Sequence, residues 1–233
     1  LIKAPLEEIQ QKENLSEESQ ANMLTAMKNV DTLLRLTTNL INFSKANVYS
    51  SSLRISEHEL NTYMEGICHA FYSYAEAKQI KLDYKSNFEY QNVWFEKEKM
   101  DSITKNLISN AIKYTPAHGE VHIIICHDKD TWSLEITDTG IGIPAKEQKK
   151  LFKLHFRGSN AINAKITGSG IGLMLVWKLV RIHKGKISIE SVENKGTRVK
   201  VIFPQKQFRN QQVPTETVQQ ENVAPVSPSA VSP

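Results

Sequence analysis

Cysteine is scarce: there are two, Cys68 and Cys126, far apart and without CxxC or His-rich company. That excludes a disulfide framework, makes a zinc site unexpected and leaves two ordinary thiols in a reducing compartment as the expectation. No run of 18 apolar residues occurs, so the segment is not expected to cross a membrane, and no signal-peptide pattern opens it. Charge of one sign is also lacking. Lys and Arg number 29 against 25 Asp and Glu, a net +4, which gives no ground for a nucleic acid or an anionic membrane as partner of this segment. No internal repeat is visible. A starting Met is missing too: the chain opens on Leu1-Ile2-Lys3-Ala4-Pro5 and reads as a piece of a longer protein.

What is present falls into three zones. From Ser16 to about Asn47 there is neither Gly nor Pro, and Met23, Met27, Val30, Leu34, Thr37 and Ile41 recur at alternating spacings of 4 and 3, broadened by Leu33 and Leu40. That is a heptad-like helical stripe. Ser16-Glu17-Glu18 supplies its start, an N-cap with acids in the first turn. A shorter helical piece over Leu1–Gln11, joined through Lys12–Leu15, completes a helical hairpin over residues 1–48. An apolar stripe of this kind needs a partner, either its own domain or a second copy in a dimeric bundle.

Residues 49–206 read as mixed α and β. Strands are predicted at Leu53–Ile55, Ile80–Tyr84, Val93–Phe95, Val121–His127, Trp132–Thr137, Lys186–Val192 and Thr197–Phe203. Helices are predicted at His58–Gln79, with Leu60, Met64, Ile67, Phe71 and Tyr74 on one face, at Lys97–Tyr114, and at Ile171–Ile182. The fold class expected is α+β, a two-layer sandwich with a mixed sheet under three helices. Residues 207–233, rich in Gln, Pro, Val and Ser and with no aromatic after Phe208, read as a flexible linker.

Four stretches carry chemistry. In Asn106-Leu107-Ile108-Ser109-Asn110-Ala111-Ile112-Lys113-Tyr114, a core stripe of Met100, Ile103, Leu107 and Ala111 leaves Asn106, Asn110 and Lys113 on an adjacent face. Carboxamide oxygens suit a hard cation and an ammonium suits phosphate, although helical Asn is commonly just solvated. In Asp138-Thr139-Gly140-Ile141-Gly142-Ile143, the period-2 rule puts Asp138 on the buried face after Leu134 and Ile136. A buried carboxylate there needs a donor such as the exocyclic amine of a purine, or it is a turn-capping Asp. Gly140 and Gly142 would let backbone approach a flat ring. Leu151-Phe152-Lys153-Leu154-His155-Phe156 is the third stretch. Gly168-Ser169-Gly170-Ile171-Gly172-Leu173, the fourth, opens a helix with amides suited to phosphate oxygens.

In this order and spacing the four resemble the N, G1, F and G2 boxes of the catalytic domain of sensor histidine kinases, within the Bergerat-fold ATPases. The hairpin resembles the dimerisation and phosphoacceptor bundle of the same family. The resemblance implies ATP with Mg²⁺. Asn110 would hold the metal with Asn106 beside it, and Lys113 and Tyr114 would meet phosphate and ribose. Asp138 would bond the adenine amine, with Gly140, Gly142 and Ile143 around the base. Phe152 and Phe156 would anchor a mobile lid made basic by Lys146, Lys149, Lys150, Lys153, Arg157 and Lys165, cations that could help clamp a triphosphate but for the most part read as a solvated charge run. Gly168, Ser169, Gly170, Gly172 and Leu173 would cradle phosphates. It further implies a homodimer through the hairpin, a response-regulator receiver domain as partner, and a cytoplasmic position in a membrane-bound, possibly hybrid, sensor.

One departure stands out. The family phosphorylates a His in a His-Glu-x-x-Thr-Pro type of motif on the first bundle helix, and none of His58, His69, His118, His122, His127, His155 and His183 sits in that context. The expectation is a chain that begins just after the acceptor, binds ATP and does not label itself. The competing readings are an ATP-dependent dimeric binding or phosphatase module and a hydrolase. Hydrolytic relatives place a Glu base four residues before the metal-binding Asn. Here that position is Asn106, a carboxamide that takes no proton at neutral pH.

Overall fold

The structure, a computed structural model, describes residues 5–6, 8–9, 15–48, 53–153, 156–164, 166 and 169–206. The expected first helix at Leu1–Gln11 and its connection lie largely outside the described residues, and the tail 207–233 lies wholly outside them.

The long helix α1 (Glu17–Val48) starts where Ser16 Oγ accepts the Ser19 N–H at 3.3 Å, the cap expected there. Met23, Met27 and Val30 are half-buried, whereas Leu33 is 61% exposed. The stripe is therefore narrower than expected at that turn; Leu34, Leu40 and Ile41 lie outside the described side chains. Among the described residues no helix is long and apolar enough to cross a membrane.

The mixed domain begins with β1 (Ser56–Glu59), α2 (Leu60–Ala77), β2 (Lys81–Ser86), β3 (Asn92–Phe95) and α3 (Lys97–Tyr114). It continues through β4 (Glu120–His127), β5 (Thr131–Asp138), the short helices α4 (Ala145–Gln148) and α5 (Ser159–Asn163), α6 (Gly172–Ile182), β6 (Lys186–Val192) and β7 (Gly196–Pro204). Five strands form one sheet in the order β2-β4-β5-β7-β6, parallel at β2–β4 and antiparallel elsewhere. β1 and β3 pair apart from it. Helices α2, α3 and α6 cover one face of the large sheet, the two-layer arrangement expected.

Two local expectations need correction. The first strand is not Leu53–Ile55 but Ser56–Glu59, whose Ser-Glu-His-Glu composition carries no strand signal. It is extended because it pairs with β3, Ser56 opposite Phe95 and Glu59 opposite Asn92. Helix α2 consequently starts at Leu60, with Glu59 accepting the Asn61 and Thr62 N–H groups at 3.1 and 2.6 Å. On α2, Tyr74 is 44% exposed, and its neighbour Ala75, in register with Met64, Ile67 and Cys68, takes the buried place.

The core lies between the layers. On α3 the stripe Met100, Ile103, Leu107, Ala111 is buried as expected and is widened by Thr104, Ile108 and Ile112. Helix α6 buries Leu175, Val176, Leu179 and Val180. Trp132 stacks on Phe203 with ring centroids 4.6 Å apart. His183 joins two helices at the domain's lower end: its ring bonds Leu179 O at 2.8 Å through Nδ1 and accepts the Glu96 N–H at 3.4 Å on Nε2. Both cysteines are free thiols, Cys68 being buried.

Candidate nucleotide site

The C-terminal end of α3, the C-terminal end of β5 and the N-terminal end of α6 converge on a cavity of about 390 Å³. The chain assembles it by ordinary rules. Helix α3 stops at Tyr114 because Pro116 disfavours helical geometry at Thr115, and the Tyr114 carbonyl then accepts the Ile141 N–H at 3.1 Å. That bond ties the helix to the loop after β5. Asn194 of the β6–β7 turn donates to Ile141 O at 2.9 Å from the other side.

Asp138 ends β5 on the buried face, as its alternation with Leu134 and Ile136 requires, and is 8% exposed. Its Oδ1 accepts the Gly140 N–H at 2.8 Å and the Thr197 N–H at 3.2 Å. Both bonds land on the same oxygen, so Oδ2 is available to a donor in the cavity that Asp138 lines. Burial pushes this carboxyl up to about 6 against the opposite pull of the two N–H groups. An acceptor of this kind matches the amine of adenine, and it also makes the capping bond to Gly140 that the competing reading envisaged.

Along α3 the wall of the cavity carries Asn106, Asn110, Lys113 and Tyr114. The Asn106 NH₂ donates to Ser102 O at 2.7 Å, so its oxygen is the atom left over. A Cβ placed on Gly172 would come within 2.7 Å of that oxygen, so the start of α6 lies close against the Asn106 side chain. The Asn110 side chain makes no hydrogen bond among the described residues. Lys113 Nζ lies 3.2 Å from the Tyr114 hydroxyl and 4.6 Å from its ring centroid. Two neutral carboxamide oxygens beside a helix start fit Mg²⁺, a hard cation that draws most of its ligands from phosphate and water.

At α6, the first intrahelical bond to Ile171 O comes from Leu175, so the N–H groups of Gly172, Leu173 and Met174 have no partner within the helix. Ser169 Oγ accepts the Ile171 N–H at 3.3 Å. Ser169, Gly170, Gly172 and Leu173 line the cavity, as do Gly142, Ile143 and Phe156. Gly168 lies outside the described residues, as do Leu154, His155 and Lys165.

Other expected residues stand against protein or solvent, some of them beside the cavity and some apart from it. Gly140 does not line the cavity: a Cβ there would meet Asp138 Oδ1 and Tyr114 O, each at 2.6 Å. Gly142 (φ +60°) lines it, and a Cβ there would come within 2.0 Å of Val192 O. Both glycines thus let protein approach protein closely. Phe152 sits outside the cavity, its ring centroid 6.5 Å from that of Trp177. Of the basic lid residues, Lys146, Lys149, Lys150 and Lys153 are exposed and away from the cavity, as a solvated charge run would be, and among those described Arg157 lines it. Its guanidinium donates to Ile166 O.

Lys105, Ser109, Asn160 and Thr197 also line the site and were missed. Lys105 and Ser109 were legible, since they flank Asn106 and Asn110 on one helical face. Asn160 and Thr197 were not. Asn160 Nδ2 bonds the Ile141 and Gly142 carbonyls at 3.3 and 2.9 Å, and Thr197 stands opposite Asp138 only through β5–β7 pairing. Glu147 bonds Ser159 through N–H and hydroxyl at 2.9 and 2.7 Å, which pins α5 over this side.

Fold and site together define an ATP-binding domain of the mixed α/β kind, whose cavity lies between a carboxamide-bearing helix and a glycine-rich helix start. Residues 96–207 match the family described as histidine kinase-, DNA gyrase B- and HSP90-like ATPase, and the curated relatives that the chain resembles are named as histidine kinases. It is 29% identical over 188 residues to the circadian input-output histidine kinase CikA of Synechocystis sp., a match covering 80% of this chain and 25% of that protein. The chain thus spans about a quarter of that relative's length. Among solved structures, full-length ShkA in complex with AMPPNP shares the fold at a TM-score of 0.71 and 17% identity, over 88% of this chain and 44% of ShkA. Histidine kinase ThkA in complex with the response regulator protein TrrA does so at 0.61 and 21%, over 88% of this chain and 57% of ThkA.

Proposed function

We propose that this chain is the catalytic part of a sensor histidine kinase that binds Mg-ATP and transfers its γ-phosphoryl group to a histidine outside the chain, for relay to a receiver-domain aspartate. The observation that carries the reading is Asp138: a buried carboxylate with one unclaimed oxygen, at the end of a cavity walled by Asn106 and Asn110. Asp138 would accept the adenine amine. Asn110, with the Asn106 oxygen beside it, would hold Mg²⁺, which when bound screens the charge of the triphosphate. Lys113 and the free N–H groups of α6 would orient the phosphates. Transfer would break the bond between the γ-phosphorus and its bridging oxygen as an imidazole nitrogen bonds to phosphorus, with ADP leaving. The chain's part in that step is positioning and charge stabilisation. Asn106, standing where hydrolytic relatives keep a Glu, supplies no base for water.

The same reading divides the chain into a truncated dimerisation and phosphoacceptor hairpin (1–48), a catalytic domain (49–206) and a flexible linker (207–233). The hairpin pairs two copies of the chain, and the parent is a membrane-bound sensor with its catalytic part on the cytoplasmic side. A receiver domain, in trans or in the same parent chain, takes the phosphoryl group. ThkA, in its complex with TrrA, supports that partner class.

The test is transfer of radiolabelled γ-phosphate, comparing this chain with a form extended upstream by its native sequence through the acceptor motif. Label on the extended form only, stable in base and labile in acid, is the expected result. ATP binding without label on either form, or steady release of phosphate to water, would overturn the transferase reading.

A further inference from the structure

Lys105 is not among the residues that the family boxes single out, yet it lines the cavity next to Asn106. We infer that Lys105 contacts the terminal phosphate of a nucleoside triphosphate and sets the preference of this site for triphosphate over diphosphate. The inference rests on the nucleotide-binding reading above and deepens it.

The geometry supplies a ruler. Asp138, where the base would bind, is tied to the C-terminal end of α3: Tyr114 O bonds Ile141 N, and the backbone at Gly140 packs on Tyr114 O. From that end the cavity wall runs back along the helix through Lys113, Asn110 and Asn106 to Lys105. Tyr114 and Lys105 are nine residues apart, so at about 1.5 Å of rise per residue the wall extends about 13 Å. That is the order of length of an adenine nucleotide laid out from its amine to its last phosphate. The glycine-rich start of α6 meets the wall at Asn106, and Gly172, Leu173 and Lys105 line the cavity at that end. A diphosphate anchored at Asp138 stops short of it.

The side chain is also held for the purpose. Lys105 Nζ lies 3.0 Å from Asp101 Oδ2, and the Tyr63 hydroxyl fixes the other oxygen of that carboxylate at 2.6 Å. Tyr63 packs against buried Phe95 with ring centroids 4.9 Å apart. An exposed ion pair one helical turn apart contributes little to stability on its own. Here it keeps a half-exposed ammonium at the rim. The other two cations lining the cavity stand elsewhere along it, Lys113 beside the Tyr114 hydroxyl at the opposite end of the helical wall and Arg157 bonded to Ile166 O.

The test is calorimetric titration of wild type, Lys105→Gln and Lys105→Arg with Mg-ATP and with Mg-ADP at fixed ionic strength. Lys105→Gln should weaken ATP binding roughly tenfold, the scale of one charge-assisted phosphate contact, and change ADP binding less than twofold. Lys105→Arg should recover most of the loss. Lys97→Gln, an exposed lysine on the same helix outside the cavity, should show no such split. Equal losses for both nucleotides, no loss, or the same split in Lys97→Gln would overturn the inference while leaving nucleotide binding intact. A wild type that bound neither nucleotide would instead overturn the functional reading, and this inference with it.

Discussion

Replacing Asp138 by Asn should do two opposite things at once. Burial raises this carboxyl from 3.8 to about 6, and at about 1.4 kcal/mol per pH unit that corresponds to about 3 kcal/mol of charge burial. The folded chain holds the proton more tightly than the unfolded one. Without nucleotide its stability is therefore highest below pH 3.8 as far as this group is concerned, and the contribution is lost as pH rises through 6. Asparagine is neutral throughout, and its oxygen can keep the Gly140 and Thr197 bonds. Its NH₂ replaces Oδ2 at the cavity, where water only partly satisfies it. The net expectation is a nucleotide-free chain about 1 to 2 kcal/mol more stable at pH 7, a rise in melting temperature of roughly 3 to 6 °C for a domain of this size. The same NH₂ faces the adenine amine donor to donor, so nucleotide affinity should fall by about 2 kcal/mol, roughly thirtyfold. In wild type the affinity should also decline below pH 6, as the carboxylate that accepts the amine takes a proton. Thermal melts from pH 4 to 8 and calorimetric titration check both halves. Unchanged affinity would refute the adenine assignment, and a lower melting temperature in the variant would refute the burial argument.

Asn110→Ala should leave the fold intact and abolish the enhancement of nucleotide binding by Mg²⁺, read by titrating a fluorescent ATP analogue with and without the metal. A variant still strongly Mg²⁺-dependent would contradict the metal role. Gly142→Ala combines φ +60° with a Cβ 2.0 Å from Val192 O, so a denaturant melt should show a loss of at least about 2 kcal/mol. A near-neutral result would mean that the loop moves freely. Burial holds buried His183 below its usual 6.5, so the unfolded chain takes up the proton first. Its share of stability is present above 6.5 and lost as pH falls below it. His183→Gln should therefore flatten the decline of melting temperature between pH 7 and 5 relative to wild type, and parallel curves would count against this.

How much of this was legible in the sequence differs from element to element. Helix α3 was readable to the residue: its apolar positions keep one register and a proline limits its end. Strands β4 to β7 were readable because alternation over seven to nine residues leaves little doubt about face, and that same alternation carried Asp138 to the buried side. Strand β1 was not, since nothing in Ser-Glu-His-Glu prefers extension until β3 lies beside it.

The sequence by itself determined which residues could do chemistry, because residue type and period are local properties: the Asn106 and Asn110 face, the buried Asp138, the glycine-rich start of α6 and the absence of a Glu base. Tertiary structure alone decided which of them meet. Gly140 and Gly142 serve the close approach of Tyr114 and Val192, and Phe152 lies near Trp177 outside the cavity lining. Asn160 and Thr197 enter the site through a loop and a strand pairing, and Lys105 acquires a place at the far end of the wall. Such assignments depend on contacts between residues tens of positions apart in the chain, and no local pattern encodes those distances.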